Sequence, residues 1–175
     1  MNPFNTPAPD FQHPLQLLSA CHGRITGFND LLLRLPAHIA EHGTDADAQQ
    51  AATRILKYFD TAGQHHHEDE ERSLFPVLRD IAAQEGNQEI LGLLELLVTQ
   101  HQEMNQAWQE LRLYLLTLSQ GGEVDPAAMP VERFVGLYHE HMPLEDKVLL
   151  PYASRVLNPA QLDALGNAMA ERRGV

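Results

Sequence analysis

Ile90, Leu94, Leu97, His101, Met104, Trp108, Leu111, Leu115 and Leu118 recur at spacings of four and three without a break. This is one face of a long helix, and the strict alternation is the seam of a helix packed nearly antiparallel in a bundle. Gly86-Asn87 precede the run and Gly121-Gly122 follow it, so the helix is bounded by turn residues. One member of the seam is a histidine where the pattern calls for an apolar residue.

Three other segments show the same period and the same exception. From Pro14 to about His42 the inward positions are Leu15, Leu18, His22, Ile25, Asn29, Leu32 and Ile39, and Gly43 marks the stop. Asp45 or Asp47 caps a second helix that continues through Gly63 to residues 76–80, with Ile55, Phe59, Ala62, His66, Glu70 and Val77 inward. Asp125-Pro126 opens a fourth, carrying Val131, Phe134, Tyr138, His141, Glu145, Val148 and Tyr152. Asn158-Pro159-x-Gln161 opens a short fifth helix that closes near Gly174. No segment has the period of a strand. The expected fold is all-α: an up-down-up-down antiparallel four-helix bundle over residues 14–157. An irregular arm (residues 1–13) precedes it, and a C-terminal helix (residues 158–175) either covers the bundle or makes a homodimer contact.

The second and fourth helices share a motif, His66-x-x-x-Glu70 followed by Leu74-Phe75-Pro76, and His141-x-x-x-Glu145 followed by Leu149-Leu150-Pro151. An imidazole and a carboxylate four residues apart lie on one helix face, and the Leu-apolar-Pro tail reads as a helix stop. Counting from the turns shows whether the four helices bring these groups to one height. His22 and His66 each lie 22 residues from a turn near residue 44, and His101 and His141 each lie 20 from one near 121. Glu70 and His101 lie 16 and 15 residues from a turn near 86. At a rise of about 1.5 Å per residue all six groups fall in one layer, within roughly a helical turn.

Buried imidazoles and carboxylates need complete pairing or a cation between them. Four imidazoles and two carboxylates, with Cys21 the only cysteine, suit borderline first-row metals better than Ca²⁺, Mg²⁺ or a thiolate-held ion. A tetrahedral zinc site needs fewer ligands, and no His-Glu-x-x-His motif is present. Two ions bridged by the two glutamates use all six side chains and leave coordination positions open to water, oxo, O₂, NO or peroxide.

The repeat HHxxEExxLFP…HxxxEDxxLLP, with single histidines on the other two helices, resembles the hemerythrin-like (HHE cation-binding) family over about residues 14–157. The resemblance implies a non-haem di-iron centre, carboxylate-bridged with oxo, hydroxo or water, on His22, His66, Glu70, His101, His141 and Glu145. It further implies binding of O₂, NO or a related small oxidant such as peroxide, for sensing, buffering or iron handling. The alternative is a di-iron enzyme: an oxidase, a peroxidase or an iron–sulfur cluster repair factor. Oxygen-carrying members have a second histidine four residues away on the third helix. Leu97 and Asn105 stand at those positions here, which fits the sensor and repair branches better. The sequence offers no nucleotide loop or nucleophile–base pair, so binding is favoured over catalysis.

Other features have plainer readings. His67/Glu71 is a rival register to His66/Glu70, and His67 alternatively supplements the ligands. Glu71 and Asp146 either orient ligating imidazoles or face solvent. His13, His38, His42 and His139 read as surface residues, and Cys21 as a small buried one. Phe59, Met104, Trp108, Phe134 and Tyr138 fill the core, with one or two walling the metal from water; Tyr138 is also a candidate donor to a bound oxygen species. Pro143 is expected to bend the fourth helix. With 24 Asp and Glu against 12 Lys and Arg, the chain lacks the basic footprint of a partner for nucleic acid or anionic membrane. No apolar run spans a bilayer and no signal peptide is evident, so the cytoplasm is the expected location.

Overall fold

The computed structural model describes residues 10–175; residues 1–9 of the expected arm lie outside them. The first rod is α1 (Pro14–His42). The second comprises α2 (Ala46–Phe59), α3 (Ala62–Asp69), a π turn over Glu70–Leu74 and α4 (Phe75–Glu85). The third is the single helix α5 (Gln88–Ser119), and the fourth joins α6 (Val131–Leu144), a π turn over Glu145–Leu149 and α7 (Leu150–Val156). The last helix is α8 (Pro159–Arg172). α1 and α5 each pack against both α2 and α6, so the rods form a square in which sequence neighbours are spatial neighbours. There is no strand among the described residues, as the periodicities predict.

Local chemistry sets the rod ends. Asp45 caps α2 by accepting from the Ala48 amide, and Asn87 caps α5 by accepting from Ile90. Gly86 takes the left-handed conformation that ends α4. Asn158 and Gln161 form a reciprocal capping box with Pro159 in the first turn of α8. The fourth rod begins later than Asp125-Pro126 suggests. Residues Pro126–Ala128 make only a single 3₁₀ turn, because Met129 precedes Pro130 and is held extended at ψ 123°. The second rod is broken at Asp60-Thr61, next to Gly63 but not at it. There the Thr61 hydroxyl donates to the Lys57 carbonyl, a back-bond that bends helices.

The two Leu-apolar-Pro tails are not stops. In each, the helix widens by one residue and continues: the Phe75 amide donates to the Glu70 carbonyl, and the Leu150 amide to the Glu145 carbonyl. Proline at 76 or 151 removes a donor and its ring would strike the carbonyl four residues back; an i→i+5 turn relieves both problems. Pro143 is not required, since the first copy has Glu68 in its place and forms the same turn. The extra residue shifts the inward register. Leu78 is buried instead of Val77, and Leu149 and Leu150 instead of Val148, which is 37% exposed.

All nine seam residues of α5 are buried. The buried apolar side chains nevertheless form two clusters rather than one. The first contains Ile25, Phe59, Met104 and Met142; the second contains Leu18, Leu74, Leu97 and Leu149. On every rod the gap between the clusters falls at the histidine layer.

α8 covers the second cluster, burying Leu165 and Met169. Its Gly166 lies so close to the Phe11 carbonyl oxygen that a β-carbon there would overlap it. Beyond that contact, Arg172 and Arg173 close on Asp69, which is fully buried beside Glu70; Arg173 reaches it at 2.7 Å, and Arg172 also donates to Ser73 Oγ within the π turn. Removing both cations would leave a buried carboxylate uncompensated. The double variant Arg172→Ala/Arg173→Ala is therefore expected to lose about 3–5 kcal/mol of stability, read as a lower urea midpoint, with Arg173→Ala alone losing less.

Candidate metal centre

The π turns begin at Glu70 and Glu145, so each carboxylate leaves its helix where the backbone is widest. α1, α3, α5 and α6 deliver His22, His66, His101 and His141 to the same level. All six residues are at most 4% exposed. Glu70 and Glu145 sit at the centre. His22 Nε2 is 3.0 Å from Glu145, His66 Nε2 is 3.3 Å from Glu70, His101 Nε2 is 3.4 Å from Glu70, and His141 Nε2 is 3.1 Å from Glu145. The donor atoms fall into two groups, each within 4.8 Å: His22, His66, Glu70 and Glu145, and Glu70, His101, His141 and Glu145. Both glutamates belong to both groups.

Three of the four outer ring nitrogens are tied down, and the buried Nδ1 of His66 has no partner. His22 Nδ1 donates to Asp146 at 2.8 Å, His101 Nδ1 to Glu71 at 2.7 Å, and His141 Nδ1 to Gln100 Oε1 at 2.9 Å. These bonds place the ring protons outside and turn the Nε2 lone pairs inward. His101 Nε2 and His141 Nε2 then face one another at 3.0 Å. Two lone pairs at that distance repel unless a cation or a shared proton lies between them. His22 Nε2, Glu70 Oε2 and both Glu145 oxygens, though close to partners, lack the alignment of a hydrogen bond. An unsatisfied buried polar atom costs about 1–3 kcal/mol, more when charged. A donor set of this kind, nitrogen and oxygen with orphaned atoms converging, fits one or two divalent first-row metal ions.

Titration behaviour reflects the same crowding. Burial pushes Glu70 well above the ordinary carboxylate range, and the Glu145 charge adds to this. Burial acts on Glu145 in the same direction, but the close approach of His141 and His22 prevails and holds it well below that range. His66 is driven well below the usual imidazole value by burial first and by His22 second. For His22, Glu145 and Asp146 outweigh burial and raise it.

The remaining candidates separate clearly. His67 and Glu71 stand outside both groups of donors. Glu71 and Asp146 combine their two readings, since each is partly exposed yet its carboxylate reaches an inward imidazole. Each grips the histidine of a neighbouring rod, not that of its own. His13, His42 and His139 are exposed, and His38 bonds Asp45 near the first turn. Cys21 is buried. Phe59, Met104, Trp108 and Phe134 pack together as an apolar wall on one side of the layer. Gln100 and the Asp69 clamp had no signal in the sequence, being single polar residues paired across the fold.

A helical bundle with a buried His/Glu layer belongs to the class of bundle-core metal-binding proteins. The hemerythrin HHE cation binding domain matches residues 13–153, and the chain belongs to that family. It is also 31% identical over 165 residues to an uncharacterized protein of Haemophilus influenzae, covering 94% of this chain and 92% of that one. Among the described residues no helix is long and apolar enough to cross a membrane.

The acceptors behind the imidazoles give a direct test. Glu71→Ala and Asp146→Ala are expected to weaken metal binding about 10–100-fold while the bundle stays folded, measured by competition with a chromophoric chelator and by circular dichroism. His38→Ala, which lies outside the layer, leaves metal affinity unchanged.

Proposed function

We propose that the chain is a non-haem di-iron protein that binds O₂, NO or a related small oxidant for sensing, buffering or iron handling. The facing Nε2 atoms of His101 and His141, 3.0 Å apart with both outer nitrogens already donating, carry this reading. One ion is assigned to His22, His66 and the two glutamates, the other to His101, His141 and the same glutamates. Iron bound there supplies open coordination positions and one-electron chemistry. Membership of the HHE cation binding family supports iron over other first-row metals.

The chain's own residues govern what reaches the site. Glu70 and Glu145 neutralise part of the cation charge and hold the two positions together. Asp146, Glu71 and Gln100 keep His22, His101 and His141 in the tautomer that offers Nε2 inward. The wall of Phe59, Met104, Trp108 and Phe134 limits water. Beside it lies a small cavity lined by Phe59, His67, Met104, Trp108, Phe134 and Tyr138, and by none of the six candidate ligands.

Elemental analysis of protein expressed in iron-replete medium is expected to give two irons per chain. His66→Ala and Glu145→Ala lose metal, and their melts move to lower temperature; full metal content in Glu145→Ala would defeat the assignment. Exposure of anaerobic reduced protein to O₂ separates the roles. A stable, reversible visible band belongs to a binder, whereas irreversible oxidation with continued consumption of reductant belongs to a catalyst.

A further inference from the structure

The first two rods and the last two are built alike. His22, then His66, Glu70 and Glu71, stand in the first pair where His101, then His141, Glu145 and Asp146, stand in the second. Two bonds to the imidazoles follow this relation. Asp146 accepts from His22 at 2.8 Å and Glu71 from His101 at 2.7 Å, each reaching from one pair of rods to the other. A third bond breaks it. Gln100, directly before His101, accepts from His141 Nδ1 at 2.9 Å. The residue directly before His22 is Cys21, and the Nδ1 of His66 on the adjoining rod has no partner. Each group of donors thus contains one ring backed by a carboxylate, His22 or His101, and in the second group Gln100 adds a neutral amide behind the remaining ring.

Amide and carboxylate act differently on a ring. A carboxylate draws the Nδ1 proton towards itself and leaves the imidazole more anionic, whereas an amide oxygen fixes the ring's orientation with little change in its charge. Negative charge on a ligand stabilises an ion in proportion to the ion's own charge, so it favours the higher oxidation state over the lower. Glutamine and glutamate share one skeleton, and Gln100 is half-buried, so a carboxylate at this place keeps the same reach and some contact with water. The fold admits either acceptor behind His141, and the one present is uncharged.

Resting on the di-iron reading above, we infer that Gln100 is a positioning residue that acts through His141 on the reduction potential of the ion held by His101 and His141, keeping it higher than a carboxylate there would. A centre that takes up a small oxidant and lets it go must return to its lower charge state. The amide behind His141 orients the ring for ligation without opposing that return.

Spectroelectrochemical titration of the iron-loaded protein at neutral pH tests this, with iron content measured on every sample. Gln100→Glu is expected to favour ferric over ferrous iron about tenfold more than the wild type does, a fall of about 59 mV in a one-electron midpoint, with iron retained. Glu71→Gln makes the opposite exchange behind His101, the other ring on the same ion, and is expected to raise the midpoint by a similar amount. The double variant Gln100→Glu/Glu71→Gln keeps one carboxylate and one amide behind the pair and is expected to return close to wild type. A role for Gln100 in packing alone would give neither the opposed shifts nor the return. Gln102→Glu adds the same charge at an exposed position two residues along α5 and is expected to shift the midpoint far less, because solvent and salt screen it. A Gln100→Glu midpoint equal to that of the wild type, or moved no further than that of Gln102→Glu, would overturn the inference. So would loss of iron from Gln100→Glu, since the stronger acceptor must hold the ring at least as firmly. A wild type that takes up no iron defeats the metal-centre reading itself, and the iron measurement tells the two failures apart.

Discussion

Six polar side chains converge in the middle of the bundle, and apolar packing cannot satisfy them. Their inner atoms approach within 3.0–3.4 Å of one another, but three of the four imidazoles have already spent their proton on an outer acceptor. The centre therefore holds more lone pairs than protons. The rest of the fold is organised around that deficit. The core is divided into two apolar clusters that stop on either side of it, so each rod must place its polar residue within about one turn of the others or bury it in hydrocarbon. Rod lengths, turn positions and the π turns all answer to this requirement.

The repeated motif has three working positions. In the second rod, Glu70 points to the centre and Glu71 reaches across to His101 on the third; in the fourth, Glu145 points to the centre and Asp146 reaches across to His22 on the first. Adjacent residues on a straight α-helix diverge by about 100°, which would carry one of each pair away from the layer. The π turn starts at the first carboxylate of each pair and loosens the helix there. Proline two residues beyond the turn makes the wide turn the less strained choice, so the tail of the motif is part of the site's construction.

Periodicity made much of this visible in the sequence. The α5 seam, the four inward histidines and their common depth followed from spacing, because burial in a bundle repeats every three or four residues. The same logic failed where a residue was inserted. Val77 and Val148 were placed inward by an unbroken α register, and the π turn moved that role to Leu78 and Leu149. The Pro76 and Pro151 tails looked like ends because proline usually ends helices; here a widened turn accommodates them. The break at Asp60-Thr61 and the late start of α6 depended on a hydroxyl back-bond and on Pro130, local effects that period counting does not weigh. Gln100, Asp69, Arg172 and Arg173 were out of reach for a different reason. Their pairings join residues 41 to 104 positions apart, and nothing periodic links them.

The outer acceptors also grade the four imidazoles. His22 and His101 donate to carboxylates, His141 to an amide oxygen, and the buried Nδ1 of His66 has no partner. A carboxylate behind an imidazole raises its basicity and strengthens it as a ligand, an amide does so less, and an unpaired nitrogen not at all. Each group of donors thus contains one strongly supported ring, but the His101/His141 pair is the better supported of the two. His66 compensates by position, since Asp69, within one turn of it, is clamped by Arg172 and Arg173 at the C-terminal end of α8. That clamp immobilises the segment whose own histidine lacks an acceptor. The last helix thereby supplies to the second rod, through backbone rigidity, the restraint that the other three rods obtain from a hydrogen bond to the ring.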